Sequence, residues 1–145
     1  STSIGIEIDN EVGEPFTEAQ VATLLRLLDD LTSRLSIPKT QVIAHADLAP
    51  TRKRDPGALF PWQRLADAGY GLWPQGELVD PPAGFDPWLA MAAIGYPLND
   101  RVAAVRAFHR HYRGRDDGED PAAVLDAEDL RILHALATQR TGSAP

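Results

Sequence analysis

Apolar and polar residues alternate from the first positions of the chain. Ile4, Ile6 and Ile8 fall on one side, and Ser3, Gly5, Glu7 and Asp9 on the other, which is the period of a strand. The period changes at Thr17. Thr17 and Gln20 have capping-box spacing, and Val21, Leu24, Leu25, Leu28, Leu31 and Leu35 then recur every three or four positions up to Pro38. That pattern predicts an amphipathic helix. Residues 41–44 read as a second strand, so the opening reads as strand, helix, strand, the unit of an α/β fold with a mixed sheet flanked by helices. A strand that starts two residues into the chain needs neighbours, so the sequence is expected to be the second half of a domain. Its first half would lie in an N-terminal segment of the same protein, possibly a separate chain.

Farther on, Pro61 and Gly69 bracket a short helix, with proline at the start and glycine past the end. Pro74, Gly76, Pro81, Pro82 and Gly84 then punctuate a stretch with little periodicity, which reads as a linker with a boundary near residue 78. Three helices are predicted beyond it. The first is capped at Asp86 and Pro87 and stops at Gly95. The second starts at Asn99 or Asp100, carries Val102, Val105, Phe108 and Tyr112 on one face, and stops at Gly114. The third is capped at Asp126 and carries Leu130, Leu133, Leu136 and Ala137. The expected organisation is an α/β domain over 1–78 and a small three-helix bundle over 79–145.

Composition narrows the choice of function. A net charge of −7, with basic residues clustered only at 52–54, excludes the electrostatic footprint of a nucleic-acid binder. Without cysteine, disulfides and thiolate metal ligands are excluded, while the compartment stays open. No apolar run approaches the length of a transmembrane segment.

The chemistry concentrates in residues 42–57, VIAHADLAPTRKRDPG. His45 and Asp55 are residue types that a catalytic zinc uses, and Lys53 adds a positive charge beside them. Each also has a plainer reading: His45 as a hydrogen-bonded structural histidine, Asp55 as part of an Asp-Pro-Gly turn, Lys53 as one member of a solvated basic run. His109, His111 and His134 read as surface or bundle residues, the first two pointing to nearly opposite sides of a helix.

Taken together, the run AHADLAPTRKRDPGALFPW resembles the signature of the zinc-dependent N-acetylmuramoyl-L-alanine amidases of the AmpD and AmiD type. SIGIEI resembles that family's central strand, and QRLADAGYGLWP resembles the AmiD branch. The likeness covers residues 2 to about 74, and the helical tail is similar in layout to a peptidoglycan-binding domain. The resemblance implies that His45 and Asp55 are two ligands of Zn2+, that Glu7 is the acid-base carboxylate, that Lys53 steadies the oxyanion, and that Arg52 contacts acidic groups of the peptide. It also implies a third ligand, a histidine upstream of anything in this chain. The implied partners are peptidoglycan or muropeptides, and the implied location is the bacterial cell envelope. The alternative is a non-catalytic muropeptide-binding module with an incomplete metal site.

Overall fold

The computed structural model describes residues 2–11 and 13–142. Helix α1, Glu18–Arg34, begins with the capping box foreseen from the sequence: the Gln20 amide donates to Thr17 Oγ1 at 3.1 Å, and the Thr17 amide donates to Gln20 Oε1 at 2.9 Å. It buries Val21, Leu24, Leu28 and Thr32. The helix stops before Pro38. Ser36 takes φ 56° and the Ile37 amide turns back to the Thr32 carbonyl at 3.0 Å, a Schellman ending that caps the last turn.

A tight turn, Lys39–Gln41, leads through extended residues to α2, His45–Leu48. Helix α3, Trp62–Asp67, follows Pro61 and closes at Gly69, whose φ of 93° lets the Tyr70 amide reach the Leu65 carbonyl. These elements share a core of Leu24, Leu28, Ala44, Phe60, Trp62, Leu65 and Tyr70, with Ile6 and Ile8 packed on its edge.

The mixed sheet expected from the alternation is not formed: no strand occurs among the described residues. A strand exists only as one side of a hydrogen-bonded ladder, and the extended residues 3–8 make no backbone hydrogen bond to another segment among the described residues. Their alternation still has a packing consequence. Ile6 and Ile8 are half-buried against the core, while Ile4 is 53% exposed.

The second core belongs to three helices whose starts follow the sequence signals. In α4, Pro87–Ala93, the Asp86 carboxylate accepts from the Trp88 and Leu89 amides. In α5, Arg101–Phe108, Asp100 accepts from the Ala103 amide at 3.0 Å. The chain then widens into a π-helical turn, His109–Arg113, and stops at Gly114 in the left-handed region. Asp126 opens α6, Ala127–Gly142. Met91, Phe108, Leu133 and Leu136 are fully buried at the centre of this core. No helix among the described residues is long and apolar enough to cross a membrane.

Candidate functional site

The loop between the two cores carries the residues singled out from sequence. His45 is the first residue of α2, and Asp55 returns to it across the turn. The Ala46 amide donates to the Asp55 carbonyl at 2.9 Å, and His45 Nδ1 lies 3.1 Å from Asp55 Oδ2. Both side chains are about half exposed, 49% and 62%, so the pair is open to a ligand from solvent. The turn is closed by the Arg52 and Lys53 amides, which both donate to the Ala49 carbonyl. Arg52 and Lys53 themselves are exposed, and neither forms an ion pair within the described residues. Glu7 is exposed on the extended N-terminal stretch. Neither Glu7 nor Lys53 is joined to the His45 and Asp55 pair by a hydrogen bond or ion pair among the described residues.

Zinc can be tested against this donor set. An imidazole and a carboxylate at contact distance suit two places in its coordination. No group of three His, Cys, Asp or Glu side chains able to hold a metal occurs among the described residues. The pair therefore fits two places of a zinc site, with no third donor beside it among the described residues.

Beneath the exposed pair lies a polar support that the sequence did not reveal. Asp47 accepts from the Tyr96 hydroxyl at 2.8 Å through Oδ1 and from His111 Nδ1 through Oδ2. Burial raises the Tyr96 phenol well above its ordinary pKa, and the neighbouring Asp47 carboxylate raises it further. The phenol is thereby kept as a donor. The His111 ring is stacked between Trp62, with centroids 4.2 Å apart, and Tyr112, at 4.0 Å. Its Nε2 is buried without a partner among the described residues, so Asp47 receives the ring's one hydrogen bond. The cavity beside these groups is about 10 Å³, room for no more than about one water.

A second network lies on the other side of the π turn. His109 faces Asp117 through Nδ1 at 2.5 Å and Asp129 through Nε2 at 2.8 Å. Burial pulls its pKa down, but hydrogen bonds to these two carboxylates and their negative charge outweigh that and hold it above the ordinary histidine value. Burial works to raise the Asp129 pKa, yet His109, the Asp126 amide and Arg113 bring it down to about 2. The three histidines outside the loop thus divide: His109 and His111 are buried in polar networks, and His134 meets Phe85 edge-on at 5.5 Å. The hint available in the sequence was a His-x-His pair among arginines at the end of an apolar helix.

Comparison with known proteins agrees with the motif. Residues 1–58 match the family model described as N-acetylmuramoyl-L-alanine amidase. The chain is 46% identical to N-acetylmuramoyl-L-alanine amidase AmiD of Escherichia coli over 161 aligned positions, covering 93% of this chain and 56% of that protein. It is 40% identical over 63 positions to 1,6-anhydro-N-acetylmuramyl-L-alanine amidase AmpD of Haemophilus influenzae, covering 43% of this chain and 34% of that protein. Among solved structures, E. coli AmiD in complex with anhydro-N-acetylmuramic acid-L-Ala-D-gamma-Glu-L-Lys superposes with a TM-score of 0.71, covering 86% of this chain and 53% of that one. Paired by structure, the identity is 33%. AmpDh3 of Pseudomonas aeruginosa, in complex with anhydromuramic pentapeptide, also gives 0.71, at 28% identity over 87% of this chain and 55% of that one. The resemblance read from residues 2–74 is borne out, and the chain spans about half the length of the relatives that match it along most of its own.

Proposed function

We propose, for a chain of the AmpD and AmiD amidase type, that it is the C-terminal portion of a peptidoglycan amidase. The enzyme hydrolyses the amide between N-acetylmuramic acid, or its anhydro form, and L-alanine of the stem peptide. The observation that carries this reading is the His45 and Asp55 pair, 3.1 Å apart and open to solvent, on a loop inside the family-matched residues. Peptidoglycan as substrate supports a place in the bacterial cell envelope. The helical residues 79–145 form the wall-binding part.

His45 and Asp55 hold a zinc, together with a histidine from an N-terminal segment of the same enzyme; the greater length of the relatives leaves room for that segment. Bound there, zinc supplies a water acidic enough to ionise near neutral pH and a Lewis acid for the amide carbonyl. The remaining roles belong to side chains of this chain. Glu7 takes the proton of the attacking water and returns it to the leaving nitrogen of L-alanine. The Lys53 ammonium offsets the negative charge that grows on the carbonyl oxygen. Arg52 receives an acidic group of the stem peptide, with a guanidinium suited to carboxylates.

The test uses the chain joined to its preceding segment, supplied with zinc, and follows release of L-alanine-terminated peptides from purified peptidoglycan. Release is expected to stop with a chelator and to fall by about a hundredfold or more in His45→Ala and Asp55→Ala, with the melting temperature of the metal-free protein nearly unchanged because both side chains are exposed. The absence of a third donor among the described residues favours one other reading, a muropeptide-binding module without catalysis. Material that takes up no zinc when zinc is supplied, binds muropeptides and releases nothing, even with the segment restored, would establish that reading instead.

A further inference from the structure

We infer that the α4 to α6 bundle positions the His45 and Asp55 loop, with Asp47, Tyr96 and His111 acting as one clamp. The inference rests on the amidase reading for its purpose and on geometry for its existence. Asp47 lies in the same short helix as His45, two residues on, and both of its carboxylate oxygens are taken by side chains from the bundle. Each donor is held in turn. Gly95 at φ 110° ends α4 and sends the Tyr96 amide back to the Met91 carbonyl, so the phenol is fixed beneath that helix. His111 is confined by flat contacts on both faces, one of them with Trp62, the first residue of α3 after the loop.

The far side of the loop is tied down as well. Arg54 Nη2 donates to the Gly118 carbonyl at 2.7 Å and to Glu119 Oε1 at 2.5 Å. The exposed donors therefore stand on a turn anchored at positions 47 and 62 on its buried side and at position 54 on its exposed side. A metal site loses affinity when its ligands are left to wander by even a fraction of an ångström. A four-residue helix with no side-chain cap cannot hold that precision by itself. Tyr96 and His111 touch neither substrate nor metal in this scheme; they are positioning residues.

The experiment measures amide hydrogen exchange in the purified chain, residue by residue, for Tyr96→Phe, His111→Gln and His111→Asn. Tyr96→Phe removes a hydroxyl and keeps the ring, so the fold is retained. Losing a hydrogen bond to a charged group is expected to speed exchange of the Ala46, Ala49 and Lys53 amides about ten- to a hundredfold in Tyr96→Phe and His111→Gln. Amides of Val105 and Leu133, in the bundle core, should change by less than about twofold. In His111→Asn the amide nitrogen can stand where Nδ1 stood, so loop exchange should return to within about threefold of the wild type. The clamp is wrong if the loop amides keep their rates, if loop and bundle loosen together, or if Asn is no better than Gln. None of these readouts needs zinc or activity, so a failed clamp and a failed amidase assignment are told apart.

Discussion

Ser36 holds a φ of 56° at the end of α1, where a side chain costs roughly 1–2 kcal/mol that glycine does not pay. Replacing it with glycine is expected to stabilise the protein by about 0.5–1 kcal/mol after the extra freedom of the unfolded chain is subtracted. A rise of a few degrees in calorimetric melting temperature would show it; a fall would mean that the serine side chain contributes something its geometry does not reveal. At this scale the sequence was legible where local chemistry decides the outcome. Asp55 before Pro56 and Gly57 announces a turn, and the turn brings it to His45. Asp47 was illegible for the opposite reason. An acidic residue between Ala46 and Leu48 carries no periodic signal, and its partners lie 49 and 64 positions away.

Helix starts were legible because capping is local: Thr17, Asp86, Asp100 and Asp126 stand where the backbone needs acceptors. The strands were not, because alternation reports which side chains are apolar and says nothing of whether a neighbour is present to share hydrogen bonds. Packing also gave the start of α6 more than a cap. The Asp126 amide donates to Asp129 Oδ2 and the Asp129 amide to Asp126 Oδ1, while Asp129 also accepts from His109 and Arg113. His109 is thereby locked between the π turn and α6, facing Asp117, Asp129 and the Arg115 guanidinium.

This arrangement has a pH signature. The His109 pKa is raised by folding, so its contribution is complete below the ordinary histidine value of about 6.5 and is lost as pH climbs through the folded value. Asp129, lowered to about 2, contributes on the order of 2 kcal/mol above the usual carboxylate range, and that is lost as pH falls toward 2. Thermal stability is therefore expected to peak between about pH 4 and 6.5. Its decline on the alkaline side should flatten in His109→Gln. An unchanged alkaline slope in that variant would assign the decline to other groups.

Two apolar cores meet across a polar seam, where Trp73 lies 5.5 Å from Tyr112 and Arg54 reaches the 114–126 loop. Pulling them apart would strand Asp47 without its donors, at roughly 1.5–3 kcal/mol per charged hydrogen bond. The cores should accordingly unfold together. In a guanidinium titration followed by amide resonances, Leu65 of one core and Leu133 of the other are expected to share a midpoint, and separate midpoints would make the seam a weak one.

The order of synthesis gives the same seam another meaning. Asp47 leaves the ribosome 64 residues ahead of His111, a delay of several seconds at ordinary elongation rates. The nascent chain thus displays His45 and Asp55, proposed above as zinc donors, before the clamp proposed to steady them exists. On those two proposals, metal capture in the cell would follow completion of the helical part.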